Sequence, residues 1–596
     1  MQEKIFCIYR RSKRRSIPSW KLSGLAEQVI LHRDELLERL PPLLQGRMRA
    51  PKGQICHFRR IISQVKGQRC AKWKSDADGA DIFLHAPFSR KTLIRRVFFI
   101  LEKGVVKLES FVNGLNDLIW SEALIYLCLG VGLFYSVGSR FLQLRHFKDM
   151  IKLMFEGKSS EAGVSSFQAL SMALAGRVGT GNIAGVATAI AYGGPGAVFW
   201  MWMMAFLGAG SAFVEAALGQ VYKVKQDGQF RGGPAYYIEK GLNLKWYAVL
   251  FSIVTVLATG MLLPGVQANS IAAGVENAFG ISPAITGIVL VAILGAIIFG
   301  GVKRIARVAE VVVPIMALGY ILIALMIVFA NLSELPAVLS LILSSAFGMD
   351  AAFGGILGSA IMWGVKRGIY SNEAGQGTAP HAASAAEVSH PAKQGLVQAF
   401  SVYVDTWFVC TATAFMILIT GMYNVTPEGA APIVNNLGDL EPGPGYTQQA
   451  IETVFPGFGA PFVAVALFFF AFTTIMAYYY MAETNLAYLN RFTKRDWTNT
   501  LLKVVIMAVV YYGSVKTAGL AWTLGDIGVG SMAWLNIIAI LLLTRTAFKV
   551  LRDYEQQKKE GKDPVFDPVK LGISGADFWE KEYQYAESAA QERLSS

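Results

Sequence analysis

Residues 173–200 read ALAGRVGTGNIAGVATAIAYGGPGAVFW, an apolar run of membrane-helix length. Its first half carries Gly176, Gly179, Gly181 and Gly185 together with Thr180 and Asn182. Each glycine costs a helix about 1 kcal/mol relative to alanine, so this density favours local unwinding. Unwound backbone at membrane depth is tolerated only where it is buried in protein or lines a cavity. There its freed amides suit a carboxylate and its freed carbonyls suit a cation, so two half-helices can bind a zwitterion and Na⁺ together. The same small residues also suit a close helix–helix packing face, and spacing alone does not separate the two readings. GTGNIA meets only a loose dinucleotide fingerprint, and no strand–turn–helix unit surrounds it.

Further polar groups fall inside apolar stretches, where charge is costly and defaults to function. Arg177, Glu215, Asp350 and Asp405 are of this kind. Arg177 keeps its proton and so requires a partner, which Glu215 or Asp405 would supply; a structural ion pair of Arg177 with Glu215 is the favoured reading. Asp405, followed by Thr406 in an otherwise apolar helix, is a candidate to face a cation. Thr473 and Thr474, in FFFAFTTIMAYYYMAE, offer two hydroxyl oxygens that a hard cation accepts, or else bond back to their own helix carbonyls. Tyr478 lies four residues after Thr474, on the same helix face, and would close the same pocket. Gln267, in LLPGVQANSIAAG, is a mid-span amide suited either to a ligand's ammonium or carboxylate or to a helix–helix hydrogen bond.

The elements that must position these groups are membrane helices. The chain is 53% hydrophobic and only 16% charged over 596 residues, against about a quarter charged for soluble domains. Eleven spans are expected, at 118–137, 166–192, 195–222, 246–278, 282–300, 308–330, 338–363, 395–421, 457–489, 500–515 and 526–546. Setting the first aside leaves five and five, and 166–192 and 338–363 then each open a repeat. The second is also glycine-rich, with Gly348, Gly354, Gly355 and Gly358, so Gly354 and Gly355 are expected at a second helix break and as substrate contacts there. The reading is an all-α integral membrane protein of about eleven transmembrane helices. It forms a 5+5 inverted repeat with one extra N-terminal helix, and a broken helix opens each repeat.

Lys and Arg collect in alternate loops, including Lys366 and Arg367, which places the C-terminus in the cytoplasm and the start of the first span outside. Residues 1–100 hold 22 Lys+Arg against 8 Asp+Glu, so the net charge of +13 belongs to that segment and does not argue for a nucleic-acid partner. This basic N-terminal extension is read as a misassigned start, ahead of an appended module or a basic arm. Residues 101–546 are the expected transporter domain and 547–596 a cytoplasmic tail. The five cysteines form no metal-ligand spacing, His381 and His390 are joined by no second cluster, and no phosphate-binding G-x-x-x-x-G-K-[ST] occurs. An enzyme and an ATP-driven pump are therefore disfavoured. A passive channel would need a polar filter that the sequence lacks.

Several blocks closely resemble the alanine/glycine:cation symporter family, the sodium:alanine symporters. They are GRVGTGNIAGVATAI, GGPGAVFWMWMMAFLG at 193–208, RGGPAYYIEKGL and GVKRGIYSNEAGQGTAPHAA, and the likeness runs from about residue 110 to 546. The resemblance implies a leucine-transporter-like fold and sodium-coupled import of alanine or glycine. It implies the lipid bilayer as environment, Na⁺ as coupling ion and no organic cofactor. It gives Thr180 and Gly181 as amides for the substrate carboxylate, and Gln267 as a substrate contact. The carbonyls of Ala175 and Val178 with the hydroxyls of Thr473 and Thr474 become a sodium site, and Asn182 falls at the other sodium position. Tyr478 stands where family members carry tryptophan. Alternatives are proton-coupled or facilitated transport of another small amino acid, or a membrane amino-acid sensor without transport.

Overall fold

The computed structural model describes residues 110–583, apart from 158, 161, 351, 428, 494, 496 and 517. The readings of residues 1–100 lie outside the described residues. The helices are α1 Glu122–Gly138, α2 Phe147–Met154, α3 Ser166–Arg177, α4 Val186–Gly193, α5 Gly196–Val221, α6 Pro234–Leu242 and α7 Lys245–Leu257. They continue with α8 Leu263–Phe279, α9 Pro283–Ile298, α10 Gly301–Ala330, α11 Leu335–Ala346, α12 Leu357–Asn372, α13 Ala379–Ser384 and α14 Pro391–Tyr403. The last are α15 Thr411–Thr420, α16 Pro444–Glu452, α17 Gly459–Thr493, α18 Trp497–Val515, α19 Ala518–Leu542 and α20 Thr544–Lys559. Two antiparallel hairpins complete the fold: β1 Val224–Gln226 with β2 Gln229–Arg231, and β3 Asn424–Val425 with β4 Val434–Asn435. The first turns at Asp227-Gly228, both at positive φ as a two-residue hairpin turn of this kind requires.

Among the described residues, eight helices are long and apolar enough to cross a membrane, fewer than the eleven expected spans. The other three expected spans fall on shorter or interrupted helices. The 166–192 stretch is α3, a gap, a π-wound turn at Gly181–Gly185, and α4. α9 is one short apolar helix. The 338–363 stretch is broken between α11 and α12, with Gly354 and Gly355 in the break.

Two helices organise the centre. α5 packs against α12, α14, α13 and α1, while α17 packs against α8, α7, α3 and α10. Small residues let the backbones approach: a Cβ on Gly364 would lie 2.6 Å from the Ala197 carbonyl oxygen. α3 starts cleanly because Ser165 and Gln168 form a reciprocal capping box. Lys366 and Arg367 are not in a loop: they are buried on α12 and both pair with Asp526 of α19 at 2.8 Å. The segment expected as a tail continues as α20 and folds back, burying Phe566, Phe578 and Trp579.

Candidate functional site

α3 ends at Arg177, and Val178 leaves helical geometry at φ −77°, ψ 85°. The Ala175 carbonyl accepts a hydrogen bond from Thr474 Oγ1 at 2.8 Å, and the Val178 carbonyl lies 3.5 Å from the same hydroxyl. One hydroxyl has one proton, so the remaining oxygen lone pairs converge unshared, the donor set a hard cation takes. Thr473 is placed differently. Both hydroxyls reach the Phe470 carbonyl of their own helix at 3.0 Å, but the other neighbour of Thr473 is the Met316 sulfur at 3.9 Å. The structure thus brings Ala175, Val178 and Thr474 together and leaves Thr473 one step aside.

Next to this oxygen cluster lies the unwound backbone. A Cβ on Gly179 would sit 2.5 Å from Thr474 Oγ1 and 3.0 Å from Gln267 Oε1, so only glycine fits. The Thr180 amide donates to Gln267 Oε1 at 3.0 Å, while the buried Thr180 hydroxyl has no partner among the described residues. Gly181 faces Ser371 and Tyr370 of α12, with 3.2–3.3 Å left for any Cβ. Tyr478 is buried on α17, one turn beyond Thr474.

Asn182 braces the gap. Its Oδ1 accepts from the Gly179 amide at 2.8 Å, and its Nδ2 donates to Asp405 Oδ1 at 2.6 Å. Asp405 lies in a π-wound stretch, Val404–Cys410, and accepts further bonds from the hydroxyls of Ser371 at 2.9 Å and Thr406 at 2.8 Å. Fully buried, it has no cationic partner within 4 Å among the described residues. Ser371 and Tyr370 were missed by sequence reasoning. The available signal was the polar run SNEAGQGT, which is entirely buried.

That run holds the second break that reaches the buried centre, at residues 373–378 between α12 and α13. Gly354 and Gly355 are instead partly or fully exposed on a turn before α12, and no contact places them at the site. Glycine density alone marked them, and it does not distinguish a surface turn from a buried gap. The expected Arg177–Glu215 ion pair is also not formed. Glu215 accepts from the Gly375 and Gly377 amides at 3.4 and 3.1 Å and from Asn536 Nδ2 at 2.8 Å. Arg177 Nη1 donates to the Gln398 carbonyl at 3.2 Å and to the Ser401 hydroxyl. The backbone amides of the gap satisfy the acid, so it does not need the guanidinium.

Two gaps in buried helices, one lined by converging oxygens and the other braced by a carboxylate, define a polytopic membrane transporter of the broken-helix class. The chain belongs to the sodium:alanine symporter family, which matches it over residues 105–568. It is 67% identical over 476 residues to a putative sodium/proton-dependent alanine carrier protein, YrbD, of Bacillus subtilis (strain 168), covering 80% of this chain and 98% of that one. It is 57% identical over 441 residues to the sodium/proton-dependent alanine carrier protein of Bacillus sp. (strain PS3), covering 73% and 98%. Among solved structures, MhsT in complex with L-phenylalanine is similar at a TM-score of 0.46 and 14% identity, covering 66% of this chain and 99% of that one. The protein is a multi-pass transporter of the cell membrane, not an enzyme.

Proposed function

We propose that the protein imports alanine or glycine by Na⁺-coupled symport. The observation that carries this is the convergence of the Ala175 and Val178 carbonyls with Thr474 Oγ1, one residue from an unwound amide pair. Na⁺ takes those three oxygens, with Thr473 completing the set after a change of rotamer. The substrate carboxylate takes the Thr180 and Gly181 amides as Gln267 turns aside, and Gln267 then faces the ammonium. Tyr478 sets the room left for the side chain. Because Gly179 joins the two sites, filling one orders the other, and each ligand raises the other's affinity by the same factor. The α3–α4 and α12–α13 gaps act as hinges for alternating access, with the Lys/Arg-rich loops and the C-terminus on the cytoplasmic side. The expected assignments of Asn182 and Asp405 as cation ligands and of Gly354 and Gly355 as substrate contacts fare differently: the first pair stays in this proposal and the second does not.

One observation supports a second coupling ion. Asp405 is a buried carboxylate among Asn182, Ser371 and Thr406, a setting that suits either a second Na⁺ or a proton. The names of the two Bacillus relatives carry both ions. The deciding experiment is uptake of radiolabelled alanine into proteoliposomes under an inward Na⁺ gradient or an equal K⁺ gradient. Accumulation above equilibrium only with Na⁺ is expected. Equal accumulation driven by a pH gradient would assign coupling to the proton, and no binding or uptake of alanine or glycine would overturn the reading.

A further inference from the structure

Arg177 and Glu373 are each almost wholly buried, at 1% exposure, and each leaves one face of its charge unused. Arg177 spends only Nη1 on protein partners; Nε and Nη2 have none among the described residues. Those two nitrogens form the side-on edge of the guanidinium, whose parallel N–H bonds match the two oxygens of a carboxylate. Glu373 accepts the Thr378 hydroxyl on Oε2 at 2.9 Å, and its Oε1 has no partner. Buried polar atoms in native proteins are nearly always hydrogen-bonded, and half-satisfied buried charges are the costliest exceptions.

The two side chains are neighbours across the gaps. Arg177 is the last residue of α3 and Glu373 the first after α12. A Cβ on Gly176, beside Arg177, would lie 3.2 Å from Glu373 Oε2. The pair is not within ion-pair distance, so each unused face is left without a partner among the described residues. A molecule that satisfies both must present a carboxylate and an ammonium together.

We propose that Arg177 and Glu373 form a second, inner binding site for the head group of an α-amino acid, its carboxylate on Arg177 Nε and Nη2 and its ammonium on Glu373 Oε1. The inference rests on the reading above that the cargo is a small neutral amino acid. Arg177 lies on the α3 side of Thr180, toward the loops placed in the cytoplasm, so the inner site receives the amino acid as it leaves the Thr180 amides. None of the sodium-binding oxygens belongs to it, so it binds without Na⁺.

The test uses the full-length protein in detergent, following its melting temperature against millimolar alanine in Na⁺-free choline buffer and again with Na⁺. Wild type should show a stabilising shift in both buffers, the larger with Na⁺. Glu373→Gln and Arg177→Gln should lose the Na⁺-free shift and keep the Na⁺-dependent one. Propionate and ethylamine, each holding one half of the zwitterion, should give no Na⁺-free shift. If Arg177→Gln does not fold, Glu373→Gln decides alone. A Na⁺-free shift that is missing in wild type, or that persists in Glu373→Gln, overturns the second site. A wild type with no alanine response in either buffer overturns the transport reading along with it.

Discussion

At the scale of the residue, one missing side chain separates tolerance from failure. Gly179 and Gly185 lie on the same broken stretch, yet a Cβ on Gly185 would come no nearer than 3.8 Å to Arg367, whereas one on Gly179 would collide with Thr474 and Gln267. Gly179→Ala is therefore expected to weaken Na⁺-dependent alanine binding at least tenfold, and Gly185→Ala to leave it within about twofold. Equal effects in scintillation binding assays would refute the placement of the site at Gly179. The threonine pair divides in the same way. Thr474 touches both carbonyls of α3's end and Thr473 neither. Thr474→Ala should raise the Na⁺ concentration for half-maximal uptake about tenfold or more, and Thr473→Ala should raise it less. The reverse order would move the ion to the Met316 side of the helix. What sequence could reveal here was residue type: tandem hydroxyls at mid-span and glycines too dense for a helix. Which of two adjacent hydroxyls faces the gap depends on the rotation of α17 against α3, a long-range packing fact that no local pattern encodes.

At the scale of the element, each gap is held by one buried carboxylate acting on backbone or through one amide side chain. Asp405 holds the first through Asn182, and Glu215 holds the second by accepting the Gly375 and Gly377 amides. Both glycines have positive φ, so the turn needs them, and its freed amides need an acceptor. Asn536 locks the arrangement, donating to Glu215 and to the Gly375 carbonyl while Tyr237 donates to it. Glu215→Gln replaces one acceptor oxygen with a donor and leaves an amide unsatisfied, which should cost roughly 1–3 kcal/mol. The check is the midpoint of thermal unfolding in detergent; an unchanged midpoint would mean that the turn holds itself. The first gap was legible because glycine, threonine and asparagine crowd an otherwise apolar run. The break between α11 and α12 was legible at Gly354 and Gly355, but the buried turn NEAGQGT was not, because it reads as an ordinary polar loop. A buried polar turn and a solvated one share a composition, and only the helices packed around it tell them apart.

At the scale of the whole molecule, the chain closes on itself. Beyond α20, Trp579 Nε1 donates to the Gln220 carbonyl at 2.9 Å, Asp577 pairs with Lys240 at 2.7 Å, and Asp563 pairs with Lys393 at 2.5 Å. Beneath this strap Lys223 donates to the Ala386 carbonyl at 3.0 Å, with the rings of Phe230, Phe578 and Trp579 at 4.4, 4.6 and 5.1 Å from its ammonium. Burial pushes its pKa from the ordinary 10.5 down to about 7, against the opposing charge of Glu387. Releasing the strap rehydrates the ammonium and returns its pKa toward about 10.4. Between those two values the released form holds a proton that the docked form does not, so docking tightens as pH rises from about 7 and gains nothing from Lys223 below it. His390 works in the same direction at lower pH. Its Nδ1 accepts from the Ala392 amide and its Nε2 faces Asp553 at 3.2 Å, and burial lowers its pKa, so acid favours release there too. His390 and Asp577 are both held below their ordinary values, so neither changes charge between pH 7 and 9, and the change there is assigned to Lys223. Limited proteolysis after α20 should therefore slow several-fold from pH 7 to pH 9, after correction for the protease's own pH profile on a denatured control. Lys223→Met, which keeps the apolar stem under the rings and removes the titrating group, should abolish that difference. If it persists in Lys223→Met, the strap does not answer to Lys223, and the aromatic box is packing alone.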